Sequence, residues 1–253
     1  MEEFDIVIPI GPNDIKQINE QLNYTKKNII GYRKIFLVSF DPNIKLKPEH
    51  KDIIIIDETI FPFSIDDVAK LHYKHSRNGW YLQQLLKLYS GIIIPDITEK
   101  YLVVDSDTFF LKPTKFIENG KCLYNLGREY HIPYFEHMKK LHSSLIKKIN
   151  FSGICHHMMF EKTYIRELFD LVEKNHSNEP FWKIFLKIVE KQHYGENIYN
   201  ASGASEYEMY FNFMMIYHND KIIVRLLKWT NSNVLIQDNI DDYHYISCHW
   251  YLM

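Results

Sequence analysis

The run Tyr101-Leu-Val-Val-Asp105-Ser106-Asp107 limits what this chain can fold into more than any other segment. Its apolar residues are continuous rather than alternating, the pattern of a strand covered on both faces, and such strands lie in the middle of α/β sheets. The run then stops in two carboxylates separated by one residue. In an extended backbone, residues i and i+2 point to the same side. Asp105 and Asp107 therefore face one site at the carboxyl end of a central strand, where open α/β sheets gather their ligands. Two carboxylates converging there repel each other unless a cation sits between them, and hard divalent ions accept such oxygens readily. The alternative is a strand followed by an Asp-capped turn.

Three further runs, DIVIPI, KIFLVSF and DIIIID, repeat the continuous apolar pattern and predict strands over 5–10, 34–40 and 52–57 beside the one over 101–105. Longer mixed segments separate them, so the fold class is α/β, a mostly parallel central sheet flanked by helices. Asn13 is the expected cap of a helix through 17–24. Trp80, Leu82, Leu85, Leu86 and Leu88 predict a helix over 78–89, ended by Gly91. The second half reads as more helical, with amphipathic stretches at 163–174, 181–192 and 206–217. No Pro/Gly/Ser-rich linker, internal repeat or low-complexity tract divides the chain, so residues 1–253 read as one domain.

Net charge removes one class of function. Thirty Lys+Arg against 32 Asp+Glu give −2, and lysines are spread along the chain instead of clustering with aromatics, so no nucleic-acid partner is expected. The apolar runs fall far short of the roughly 20 residues of a membrane-spanning helix. The opening MEEFD is acidic, unlike a secretory signal. The expectation is a chain without a transmembrane segment that starts at Met1 and resides in the cytoplasm, the host's if the chain is viral. Cys122, Cys155 and Cys248 are an odd set without CxxC spacing, which indicates neither a disulfide framework nor a thiolate zinc site.

The motifs occur in a telling order. An N-terminal strand ending in Ile8-Pro9 is followed by Arg77-Asn-Gly79-Trp80-Tyr-Leu-Gln83-Gln84-Leu-Leu-Lys87, Asp105-Ser106-Asp107, Ser205-Glu206-Tyr207-Glu208 and Cys248-His249-Trp250. In this the chain resembles the GT-A glycosyltransferases with an Asp-x-Asp motif, and among them the DUF6492-type family found in large DNA viruses and bacteria. The resemblance implies a manganese or magnesium ion held by Asp105 and Asp107 against the diphosphate of a nucleotide sugar. It also implies a nucleotide-binding half over 1–110 and an acceptor and catalytic half over 111–253. The expected donor is a UDP-sugar, UDP-glucose first and UDP-N-acetylglucosamine or UDP-galactose next, with a glycan or protein hydroxyl as acceptor.

The resemblance also distributes roles. In several retaining GT-A families a histidine near the carboxyl terminus is a further metal ligand, and His249 matches that position; His244 is the substitute, and a merely packed histidine the alternative. Arg77, Trp80 and Gln84 belong to a helix placed beside the donor, where Arg suits phosphate; Lys87 on the same helix reads as a solvated face. Pro9 and Ile10, with Gly11, and Asp57 at the end of the third strand are expected against the base and ribose, and Ser106 against the donor. Glu206 and Glu208 are the candidates for catalysis, although Ser205 with Glu208 also forms a capping box. Gly153 reads as a point of close approach for a sugar ring. Of the adjacent His156 and His157, at most one can face the donor if the segment is extended.

Two rivals remain at this level. A haloacid-dehalogenase-type phosphatase also places aspartates one residue apart after an apolar strand, but there the pattern is Asp-x-Asp-x-Thr/Val, whereas Thr108 follows Asp107 directly here. A catalytically inactive sugar-binding module is the other, since 18 Tyr and 16 Phe supply ample stacking surface.

Overall fold

A computed structural model of the chain describes residues 3–72, 77–189, 202–233 and 242–249. Strand β1 (Phe4–Ile10) is buried along its whole length, as an unbroken apolar run requires. It is followed by α1 (Ile18–Asn28), β2 (Ile29–Ile30), β3 (Tyr32–Ser39), β4 (Ile54–Asp57), α2 (Ile65–His72), α3 (Asn78–Ile93) and β5 (Lys100–Val104). The chain continues through β6 (Thr108–Phe110), β7 (Thr114–Lys115), β8 (Ile117–Glu118), β9 (Lys121–Tyr124), α4 (Ile132–Leu141) and β10 (His157–Glu161). Helices α5 (Lys162–Asn175), α6 (Phe181–Ile188) and α7 (Glu206–Tyr217) and strands β11 (Ile222–Val224), β12 (Trp229–Ser232) and β13 (Tyr245–Cys248) complete the described elements.

The central sheet runs β10-β5-β1-β3-β4, with β5, β1, β3 and β4 parallel and β10 antiparallel at one edge. The fold is the α/β class read from the sequence, and the four expected strands are β5, β1, β3 and β4. One hydrophobic cluster joins this sheet to α3, α5, α6 and α7. A second sheet, β12-β13-β6, begins where the first stops: residues 105–107 form the turn between β5 and β6. Because β13 pairs antiparallel with β6, Ser247 lies opposite Thr108, and Cys248 N donates to Asp107 O at 2.7 Å. That register delivers the carboxyl-terminal segment to the Asp-x-Asp turn.

Several local expectations need correction. Asn13 caps no α-helix; Pro12–Asp14 form a 3-10 turn, and α1 starts at Ile18 without a side-chain cap. Gly91 lies inside α3 rather than ending it. A Cβ there would come within 2.4 Å of the Tyr101 ring, so this glycine lets α3 settle onto β5. The segment before His157 is irregular, and β10 starts only at that residue. The 181–192 stretch begins as α6, while residues 190–192 lie outside the described set. Helices α2 and α4 were not among the expected elements.

Candidate active site

Asp105 is held from three directions. Its Oδ1 lies 2.6 Å from Lys87 Nζ and accepts from Tyr207 OH at 2.8 Å, while Oδ2 is 3.3 Å from His156 Nδ1. Burial pushes the carboxyl pKa up, but Lys87 and His156 outweigh it and hold Asp105 well below the usual carboxylate range. The same Lys87 ammonium sits 2.7 Å from Glu206 Oε1. Burial works to lower the Lys87 pKa, and the two carboxylates more than offset it, so Lys87 stays charged at 3% exposure.

The solvated-face reading of Lys87 is therefore corrected. Gln84 and Lys87, three residues apart, share the face of α3 that meets the start of α7. Gln84 Oε1 accepts from Glu206 N at 3.0 Å, and its Nε2 is buried with no hydrogen-bond partner among the described residues.

Asp107 is differently placed. Its Oδ2 lies 2.7 Å from His249 Nδ1, and its Oδ1 is shielded from solvent with no hydrogen-bond donor among the described residues. Burial opposes charge on His249, but the hydrogen bond and charge of Asp107 raise its pKa above the usual value. Between the two aspartates, Ser106 Oγ donates to Asp14 Oδ2 at 2.8 Å. The Asp14 pKa is raised, first by burial and then, against the Ser106 bond, by the charges of Asp107 and Asp105. Three carboxylates thus crowd one serine. Asp14 was not anticipated, because nothing in Pro12-Asn13-Asp14 distinguishes a site residue from a turn.

These donors bear on the expected cation. Among the described residues, no three His, Cys, Asp or Glu side chains are grouped to hold a metal ion, so the expected set of Asp105, Asp107 and His249 is not a closed cage. The reason is that both Asp105 oxygens are already engaged. Yet a divalent ion that keeps waters and phosphate oxygens needs only one or two carboxylates, and Asp107 Oδ1 is a buried oxygen with no hydrogen-bond partner among the described residues. The residues fit a cation of that kind, and Asp107 is the side chain that would hold it.

His156 adopts φ +64°, which turns its ring to 4.7 Å from that of His249 and 5.1 Å from that of Trp229. His157 points the other way, into Phe110, Phe116 and Tyr245. Trp250, part of the terminal motif, lies outside the described residues. Pro9 and Ile10 end β1, and the register aligns Ile10 with Ser39 and Ser39 with Asp57 along the carboxyl edge of the sheet. There Asp57 accepts from Thr59 N at 2.9 Å, which lowers its pKa. Arg77 lies 4.4 Å over the Trp80 ring and donates through Nη2 to Ser202 Oγ, so both residues support the loop that leads into α7.

Packing bears on three site expectations. Glu208 is 1% exposed; Oε1 meets Lys147 Nζ at 2.7 Å and Asn212 Nδ2 at 3.0 Å, while Oε2 accepts from Ser152 Oγ and, at 3.2 Å, from Gly153 N. It clamps the 147–153 loop to α7 and has no oxygen left for a proton. Its backbone N donates to Ser205 Oγ at 3.2 Å, which is half of the expected capping box. Glu206 Oε1 is tied to Lys87 Nζ at 2.7 Å, an ion pair the sequence reading did not anticipate. Gly153 approaches α7, not a sugar: a Cβ would lie 2.3 Å from Phe211 Cβ and 2.8 Å from Tyr207 O.

One further carboxylate was missed. Glu129, in the loop between β9 and α4, has a pKa raised mainly by its surroundings' exclusion of water and further by the charge of Glu208, moderated by His156, His131 and His249. No spacing in the sequence marks it.

Residues 39–244 match DUF6492, described as a family of unknown function. The chain belongs to the DUF6492 family. No curated protein sequence matches this DUF6492 member. Among solved structures it is similar to mouse xyloside xylosyltransferase 1 in its apo form, at 10% identity and a TM-score of 0.48, over 100% of this chain and 99% of that one.

Proposed function

We propose that this DUF6492 member is a metal-dependent glycosyltransferase of the GT-A type. It moves a sugar from a nucleoside diphosphate sugar, a UDP-hexose such as UDP-glucose first, to a hydroxyl acceptor. The observation that carries this reading is Asp107 Oδ1, a buried carboxylate oxygen with no hydrogen-bond donor among the described residues, at the carboxyl end of the parallel sheet and beside the carboxylates of Asp14 and Asp105. Manganese or magnesium held at Asp107 would supply charge neutralisation for the departing diphosphate.

The chain's own residues divide the remaining work. His249 fixes the orientation of Asp107 through their 2.7 Å contact, and Lys87 fixes Asp105 between itself, Tyr207 and His156. Ile10 and Asp57, on the same sheet edge, take the base and ribose. Calorimetric titration of UDP with and without Mn2+ tests the reading. Wild-type protein should bind UDP in a metal-dependent way and Asp107→Asn should lose that dependence while keeping its fold. An unaltered metal response in the variant, or no UDP binding by the wild type, would overturn the assignment.

A further inference from the structure

Strand β13 has a histidine beyond each end. His249 follows it and meets Asp107, while His244 precedes it and lines a second cleft of about 400 Å³. This cleft lies between two small sheets, β2-β7 and β11-β9-β8. Leu123, Ile223 and Leu227 give it apolar walls, and Lys115, Glu118 and Arg225 are its charged residues. Arg225 is held by its backbone, whose N donates to Tyr124 O at 2.8 Å, and its guanidinium carbon lies 5.1 Å from the centre of the Phe116 ring.

The Arg225 side chain is left unpaired there. Its Nε and Nη2 are shielded from water and have no hydrogen-bond partner among the described residues. Those two nitrogens share the edge with which a guanidinium grips two oxygens of one phosphate or carboxylate. Burial lowers the Arg225 pKa to about 10 against smaller opposing effects of Tyr245, Cys155 and Glu118, so the group is still charged at neutral pH. A charge screened from water and lacking a counter-ion is costly, and an anion in the cleft would offset that cost. The opposite wall supplies a fixed donor. Lys228 N donates to His244 Nδ1 at 3.1 Å, and the His244 backbone bonds Lys228 O and Leu111 N, each at 2.8 Å. The imidazole therefore carries its hydrogen on Nε2. A carboxylate would be filled by the arginine fork alone. The fork, the imidazole N–H and the exposed Lys115 ammonium together match the three terminal oxygens of a phosphate group.

We infer that this cleft binds a phosphate group against Arg225, with Lys115 and His244 Nε2 completing the site. It is distinct from the metal and donor site and does not depend on the glycosyltransferase reading. The same chemistry arrives as inorganic phosphate or on a lipid headgroup; Leu226, next to Arg225 and 77% exposed, gives the second source its own arm of the test.

The test uses the full chain without added metal. Inorganic phosphate is titrated calorimetrically against chloride at matched ionic strength, and cosedimentation is measured with phosphatidylcholine vesicles that contain or lack phosphatidic acid. Saturable phosphate binding identifies the free ion, and cosedimentation that requires phosphatidic acid identifies the headgroup; either supports the site. Lys115→Glu, at an exposed position, should weaken the binding seen by about 10- to 100-fold, the range for a lost hydrogen bond to a charged group. Arg225→Gln should abolish it. Should the Arg225 variant fail to fold by circular dichroism, Lys115→Glu decides alone. Binding of neither probe, or wild-type affinity in either variant that folds, would overturn the inference. Phosphate binding lost in Asp107→Asn and kept in Lys115→Glu would place the anion at the Asp-x-Asp turn and overturn it as well.

Discussion

Lys87 Nζ lies 2.6 Å from Oδ1 of Asp105 and, on its other side, 2.7 Å from Glu206 Oε1. One buried ammonium thus joins the end of β5 to the start of α7. Removing one member of such a group leaves uncompensated charge in a poor solvent, which costs about 3–5 kcal/mol. Lys87→Met should lower unfolding stability by that order in urea titration, and adding Glu206→Gln should recover part of it. A Lys87→Met protein as stable as wild type would show that solvent reaches this group.

His249→Ala should weaken metal-supported UDP binding, though less than Asp107→Asn, because the carboxylate survives and only its orientation is lost. His244 makes its contacts with Lys228 N and with the backbone after β6, so His244→Ala is expected to leave that binding unchanged. Titration of UDP at fixed Mn2+ checks the order. If the His244 variant is the weaker binder, the terminal histidine has been misassigned.

The two glutamates of α7 should separate. Glu206→Gln disturbs Lys87 and through it Asp105, and donor hydrolysis should fall by about 10- to 100-fold, the usual effect of removing a supporting group. Glu208→Gln loosens the loop clamp and should cost about 1–3 kcal/mol of stability with little change in UDP affinity. Loss of UDP binding in the Glu208 variant, with stability intact, would contradict this division.

Gly153→Ala is expected to act on stability. The added methyl meets Phe211 Cβ and the carbonyl of Tyr207, neither of which can rotate away, and overpacking of this kind costs about 1–3 kcal/mol. A lowered Tm with retained UDP affinity is the expected outcome. The reverse pattern would return Gly153 to the donor site.

Acid should destabilise the fold through two core histidines. Burial lowers the pKa of His137 to about 4 and that of His157 to about 3, and neither ring nitrogen of His157 has a hydrogen-bond partner among the described residues. Below the unfolded value near 6.5 the unfolded chain binds these protons and the folded chain does not, so stability falls as pH falls from about 6.5 toward 4. Each group contributes a slope of about 1.4 kcal/mol per pH unit in that window. His157→Phe, among rings that already surround it, should remove one of the two slopes in denaturant titrations at pH 4 to 7. An unchanged slope would mean that His157 is protonated in the folded state.

The sheet was legible in the sequence because continuous apolar runs leave a chain few other options. β1, β3, β4 and β5 lie where those runs predict, α5 follows from its amphipathic period and α7 starts at its Ser205 cap, although α7, expected to be amphipathic, is buried on all sides from Glu206 to Met214. Gly91 misled because a glycine that ends a helix and one that admits a neighbouring ring look alike until Tyr101 is in place. The sequence by itself determined the α/β class and the two aspartates at the end of a buried strand, since both are local consequences of hydrophobic patterning and the two-residue repeat of an extended chain.

Tertiary structure decided what those aspartates touch. The pairing of β13 with β6 brings His249 to Asp107, and the packing of α3 on α7 turns Lys87 from an apparent surface lysine into the buried partner of Asp105 and Glu206. Ion pairs with Lys87 and Lys147 likewise engage Glu206 and Glu208. Charge placement depends on groups distant in sequence meeting in a medium where each must find a partner, and no local pattern records which partner that will be.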